Sequence, residues 1–353
     1  MPISRMPRMT ALGADWWNDS GSPEELGEAV ALGATGGTSN PVIVAQTIKA
    51  HPEKYAPIID GFVGDHPSDT EDEIAWRLIH WLAARCAERL FPVYKDSEGR
   101  KGYLSIQVSP KFYRDAVRMA AQGKQLAEIA PNIAIKVPAT SAGIAAMEEL
   151  VASGISVNAT VSFTVSQAIA VAAAFERGAC RWQASTANPR PVPTYITIMI
   201  GRVDDHLRRV AEAQRIATTP GVLEWAGIAV FKNAHQIFHE RGYRGTLLAA
   251  AYRHDGHWSE IIGREVLQTI PYTWWNRFNQ LEIDPVVTLD RPVATSIADE
   301  LRSKFPEFVL AHDEGALKPA DFIRYGATRH TLDQFLSGYA DLVAQIRPRM
   351  LPV

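Results

Sequence analysis

Apolar and polar positions along the chain follow two alternating periods. Short runs place an apolar residue at every second position, as in a strand whose side chains point to opposite faces. Longer runs repeat at about 3.6 residues, as in Ile74, Leu78, Trp81 and Leu82 within a helix predicted over 68–90. Strand-like stretches fall at 10–15, 34–40, 103–108, 132–138, 155–160, 194–200, 245–250 and 266–270. Helical stretches separate them, at 22–32, from Pro41 onward, and at 110–129, 142–152, 166–177, 205–214, 222–241, around Ser259 and at 272–281. Ser22-Pro23-Glu24-Glu25 is a strong helix start, with a capping hydroxyl, a proline at the first helical position and acids in the first turn. The segment 51–66 reads as loop, and 180–193 as an irregular insertion.

Eight strands alternating with helices predict a single (β/α)8 TIM barrel. Residues 1–285 would form it. Residues 286–353 would add C-terminal helices at 296–304 and 331–346, packed on the barrel or on a neighbouring subunit. The sequence leaves self-association open.

Composition narrows the function. Of 353 residues, 46% are hydrophobic and 21% charged, enough apolar content for a large core. A net charge of −3 with dispersed basic residues gives no field for nucleic acid or an anionic membrane surface. No apolar run reaches membrane-spanning length, and Arg5 and Arg8 stand where a signal peptide would have its apolar segment. The two cysteines, Cys86 and Cys180, have no ligand-like spacing. A cytoplasmic protein is expected.

The chemistry centres on Asn132-Ile133-Ala134-Ile135-Lys136-Val137-Pro138. Alternation puts Lys136 and Ala134 on one face of this strand. A lysine on the inner face of a buried strand loses hydration, its pKa falls, and the neutral amine can condense with a carbonyl. The ordinary alternative is a lysine at a strand end that snorkels to water. Polar residues at other strand ends weigh against it, because the carboxyl ends of barrel strands converge on one pocket. Those ends carry Asp15, Asn40, Gln107, Lys136, Asn158 with Thr160, Thr197 with Arg202, and Arg253. Such a pocket suits carbon–carbon bond cleavage or formation on a ketose. Asp15 would exchange protons, Thr160 would position a water, and Arg202 with Arg253 would hold a phosphate. Either arginine could instead be tied up in an ion pair, with Asp204 or Asp205 at hand for Arg202.

In this order and spacing the residues resemble the transaldolase family of class I aldolases, over about residues 8–285. The resemblance rests on Thr38-Ser39-Asn40-Pro41, Ile135-Lys136-Val137-Pro138-Ala139-Thr140, Gly154-Ile155-Ser156-Val157-Asn158-Ala159-Thr160, Gly201-Arg202-Val203-Asp204-Asp205 and Tyr252-Arg253. It implies Lys136 as the Schiff-base lysine, Asp15 as acid/base, and Asn40 and Asn158 as contacts to substrate hydroxyls. It further implies Thr160 as holder of the catalytic water and both arginines around the phosphate. The implied activity is transfer of a dihydroxyacetone unit between sugar phosphates in carbohydrate metabolism, with no cofactor and no metal.

Three positions depart from the pattern. Gln107 stands where the transaldolase branch has a glutamate and the fructose-6-phosphate aldolase branch a glutamine. Thr197-Ile198-Met199 replaces Ser-Pro-Phe or Ser-Pro-Tyr, so Met199 brings neither phenyl face nor phenol to the substrate. Ala251 stands where a serine is expected near the phosphate. Direct aldol cleavage is therefore the alternative activity, and a non-catalytic sugar-phosphate-binding barrel the alternative from another class. His235 with His239, and the run Tyr252-Arg253-His254-Asp255-Gly256-His257, are weaker signals for a metal or a substrate contact.

Overall fold

The computed structural model describes residues 4–351. Eight parallel strands close a barrel in sequence order: β1 (Asp15–Asp19), β2 (Gly36–Thr38), β3 (Tyr103–Gln107), β4 (Ile133–Pro138), β5 (Val157–Thr160), β6 (Thr194–Ile198), β7 (Thr246–Ala249) and β8 (Val266–Pro271). β1 pairs with β8 through Asp15 opposite Leu267 and Asp19 opposite Pro271. This is the (β/α)8 barrel that the periodicity predicts. Among the described residues no helix is long and apolar enough to cross a membrane.

The two faces of each strand divide the work. Outward side chains such as Leu104, Ile106, Ile133, Ile135, Val137, Ile196 and Ile198 pack under the surrounding helices in one continuous core. Inward ones fill the barrel in layers. Trp17, Tyr103, Ala134, Tyr195, Leu248 and Leu267 form an apolar cluster inside it, and the polar residues lie above this toward the carboxyl ends. Trp17 and Tyr195 meet edge-to-face at 4.6 Å, a geometry that favours paired aromatic rings.

Three local readings are corrected. The stretch 10–15 is not the first strand. Arg5–Ala11 is a helix that buries Met6 and Met9, and Gly13, at φ +87°, turns the chain out of it. The first strand therefore begins where the sequence reading ends it. The segment 51–66 is not a loop, since Pro52–Asp65 is a helix with Pro52 at its start and Tyr55 and Ile59 buried one turn apart. The insertion is partly helical, because the helix Val165–Ser185 runs well past residue 180 before the chain turns irregular.

After β8 the chain returns over the barrel. The helix Gly326–Met350 lies against the helices Pro41–Ala50 and Glu71–Asp96, burying Phe335, Tyr339, Leu342 and Ile346. Its first turns also reach the helix Ile200–Gln214 that follows β6.

Candidate active site

Lys136 lies on the inner face of β4, in register with Gln107 of β3 and Asn158 of β5. Only 5% of it is exposed. Burial pulls its pKa below the ordinary lysine value; Asp19 opposes that shift and Arg202 adds to it. Asp19, at the carboxyl end of β1, faces the same space. Burial raises its carboxyl pKa, against the pull of Lys136 and of the Thr38 hydroxyl. Both shifts favour a neutral amine beside a protonated acid.

Asp19 thus occupies the place expected of Asp15. Asp15 sits at the amino end of β1, four residues and about 13 Å below Asp19 at the usual rise of a parallel strand. There it pairs with Lys101 at 2.7 Å, with 30% of its side chain exposed. It cannot exchange protons at Lys136. The misplacement follows from reading the first strand too early. The pair Trp16-Trp17, aromatic residues that favour strands, was the signal that β1 runs on to Asp19.

Polar side chains fix one another around the pair. Thr38 donates to Asp19 Oδ1 at 2.6 Å and meets the Thr269 hydroxyl at 2.6 Å. Thr197 donates to Asn158 Oδ1 at 2.8 Å, and Asn158 Nδ2 donates to Ser105 Oγ at 3.0 Å. The Asn158 amide is thereby locked across the barrel. Thr160 is fully buried one pleat above Asn158, its Oγ1 4.0 Å from Met199 Sδ. Asn40 has a structural duty as well, for its side-chain oxygen caps the helix Pro41–Ala50 by accepting from Ile43 N–H at 3.0 Å. Its amide nitrogen is left for other partners. Gln107 Oε1 is buried without a partner among the described residues, as is Ser39 Oγ. Both line a cavity of about 20 Å³ behind β3, room for about one water.

The two arginines differ. Arg202, in the first turn of the helix Ile200–Gln214, pairs with no acid among the described residues. It donates to Gln334 and, at 3.3 Å, to Thr331, and lies 5.8 Å from the Phe335 ring, all three on the C-terminal helix Gly326–Met350. Burial lowers its pKa to about 10, helped by the neighbouring Arg253. Arg202 Nε has no partner among the described residues. Arg253 is held by Asp205 at 2.9 Å and by the Tyr252 carbonyl at 2.9 Å. The ion pair anticipated for Arg202 therefore forms at Arg253. Sequence reasoning missed Gln334 and Thr331, because nothing in a terminal helix reveals which barrel end it crosses.

Among the described residues, Asp204, His254 and His257 bring potential metal ligands within 4.8 Å of one another. The hydrogen bonds give the trio a different character. His257 Nδ1 accepts the Arg253 N–H at 3.0 Å, so its proton sits on Nε2, which donates to Asp204 Oδ2 at 2.8 Å. A metal on Nε2 would require a doubly deprotonated ring. The trio is a hydrogen-bond relay.

A buried amine, a buried acid and two arginines thus meet at one barrel mouth. The family model described as Transaldolase/Fructose-6-phosphate aldolase matches residues 16–315. The chain belongs to this family. A transaldolase of Thiobacillus denitrificans is 28% identical over 377 residues, covering 96% of this chain and 98% of its own. Transaldolase 1 of Streptomyces avermitilis is 30% identical over 266 residues, covering 71% and 68%. A transaldolase of Neisseria gonorrhoeae is 32% identical over 234 residues, covering 64% of each. The transaldolase/fructose-6-phosphate aldolase match spans the eight strands and both arginines, and ends before the helix that carries Gln334.

Proposed function

We propose that the chain is a transaldolase that moves a dihydroxyacetone unit between sugar phosphates through a Schiff base on Lys136. The observation that carries this reading is the buried Lys136–Asp19 pair, with its amine pKa lowered and its acid pKa raised. The neutral Lys136 amine adds to the ketone carbon. Protonated Asp19 helps expel the carbinolamine hydroxyl as water, leaving an iminium and a carboxylate. That carboxylate takes the proton from the hydroxyl on the far carbon of the breaking bond, which becomes the carbonyl of the released aldehyde. The bond's electron pair moves into the iminium, giving an enamine and releasing an aldose phosphate. An acceptor aldehyde then reverses these steps, and water hydrolyses the new iminium. Asn158, fixed by Thr197 and Ser105, and the Asn40 amide nitrogen orient the dihydroxyacetone hydroxyls. Thr160 holds the water, Met199 packs beside it, and Arg202 with Arg253 receives the phosphate.

A second reading, direct cleavage with release of free dihydroxyacetone, is favoured by Gln107, which cannot ionise and so cannot relay protons as a glutamate would. Borohydride trapping with fructose 6-phosphate, followed by peptide mapping, tests the shared chemistry. The reduced adduct is expected on Lys136, and Lys136→Ala is expected to stay folded and form none. Wild-type adduct levels in that variant would overturn the assignment. Release of the adduct's three-carbon unit that does not respond to an acceptor aldehyde would select the second reading.

A further inference from the structure

The phosphate clamp proposed above has a support that its two arginines do not explain. Asp204 and His257 are both completely buried. Asp204 is on the helix Ile200–Gln214, two residues after Arg202, and His257 follows β7, four residues after Arg253. Burial alone would push the Asp204 carboxyl up, but hydrogen bonds from His254 and His257 and the N–H of Gly227 hold it below the usual carboxylate range. A fully buried, ionised carboxylate is costly unless every lone pair is used. Here Oδ1 accepts from Gly227 N–H at 2.9 Å, while Oδ2 faces His257 Nε2 at 2.8 Å and His254 Nε2 at 3.3 Å.

The line from Gly227 through Asp204 and His257 ends on the backbone of Arg253, whose N–H donates to His257 Nδ1. The backbone there needs holding. Ala251 is at φ +68°, a left-handed conformation that alanine adopts at a cost. The Ala251 carbonyl also lies so close to Gly201 that a β-carbon at 201 would stand 1.9 Å from it. Asp205, next to Asp204, holds the Arg253 guanidinium. One turn of one helix therefore carries Arg202, fixes the side chain of Arg253 and, through His257, fixes its main chain.

We propose that Asp204 and His257 are positioning residues that set Arg253 for the substrate phosphate, with the His257 tautomer as the working part. The inference rests on the phosphate reading of the two arginines. Its physics is a matter of donors and acceptors. With an ionised Asp204 the His257 proton must lie on Nε2, which leaves Nδ1 as an acceptor for Arg253 N–H. An asparagine at 204 has one acceptor and one donor where two acceptors are needed. If its amide donates to Nε2, the His257 proton moves to Nδ1 and meets the Arg253 N–H head-on. If its oxygen faces His257 instead, the amide meets the Gly227 N–H. Each orientation breaks one link without changing shape.

The test compares KM and kcat for fructose 6-phosphate and for unphosphorylated fructose in the wild type, Asp204→Asn, His257→Asn and His257→Leu. In the wild type, KM for fructose 6-phosphate should be the lower by at least tenfold. Asp204→Asn and His257→Leu should raise that KM about tenfold and change KM for fructose less than twofold. His257→Asn, whose amide oxygen stands near the place of Nδ1, should recover most of the loss. If the wild type does not distinguish the two sugars, the phosphate reading falls and this inference with it. If it does, but Asp204→Asn, folded by its circular dichroism and melting profile, keeps the wild-type KM ratio, only the relay is overturned. Equal losses for both sugars would overturn it too, since a general loss of packing has no preference for phosphate. Should His257→Leu fail to fold, Asp204→Asn and His257→Asn decide the outcome.

Discussion

Replacing Asp19 by asparagine separates adduct formation from turnover. The amide has the same shape, and its oxygen can still accept from Thr38, 2.6 Å away in the wild type, but it carries no exchangeable acid proton. A positioned acid/base contributes about 10²–10⁴-fold to a rate, or about 2.7–5.4 kcal/mol of barrier at 1.36 kcal/mol per tenfold. Release of aldose phosphate from fructose 6-phosphate should slow by that range. Schiff-base trapping should slow but still reach a reduced adduct on Lys136, because the neutral amine adds to the ketone without an acid and an amide at 19 never carries the charge that opposes the fall of the Lys136 pKa. Asp15→Asn is the control. Its exposed pair with Lys101 is worth at most about 1 kcal/mol of stability, and it lies at the far end of β1. Its kcat should stay within about twofold of wild type, the pair being remote from the amine. Stopped-flow release and borohydride trapping measure the two steps separately. Full turnover in Asp19→Asn, or a hundredfold loss in Asp15→Asn, would refute the assignment of the acid.

The rate of adduct trapping should rise with pH and level off before the ordinary lysine pKa, since burial lowers that of Lys136 and only the neutral amine adds to a ketone. A midpoint at the ordinary lysine value of 10.5 would mean that burial does not tune this lysine. The same shift makes the folded state bind fewer protons than the unfolded chain between the two pKa values, so Lys136 contributes stability that increases with pH across that window. Gln107→Glu should raise the ratio of aldol transfer to free dihydroxyacetone, measured by product analysis with and without an acceptor. An unchanged ratio would remove strand β3 from control of that partition. Gly201→Ala would place a β-carbon 1.9 Å from the Ala251 carbonyl and 2.8 Å from Arg253 Cγ, and should cost about 1–3 kcal/mol in a thermal or urea melt. Gly27→Ala, on a helix with nothing within 4 Å of the added carbon, should instead gain about 0.5–1 kcal/mol.

The sequence-level reading reached the parts of this molecule governed by short-range periodicity. Lys136 could be placed on an inner face because β4 alternates cleanly, and the eight-strand count followed from eight β-like segments alternating with helical ones. Asp19 was missed because a strand's ends depend on what precedes it. The helix Arg5–Ala11 and the turn at Gly13 set where β1 begins, and a shift of four residues put the acid at the wrong end of the barrel. The pairing of Arg253 with Asp205, and of Arg202 with Gln334, could not be read at all. Each joins residues 48 or more apart whose proximity is created only when the barrel closes. The His254–His257 run was visible as an oddity, but its meaning lies in the direction of one N–H, which sequence does not record.

The reach of Thr331 and Gln334 to Arg202 means that the barrel leaves synthesis before the contacts that hold Arg202 are complete. Domains fold from the N-terminus as they are made, and all eight strands are complete by residue 271. The side chains that steady Arg202 arrive sixty residues later. A chain interrupted between these points could close its barrel and bury Lys136 while binding phosphate poorly. If the two arginines receive the phosphate as proposed, an unfinished or clipped copy would carry the amine without the means to recruit its sugar.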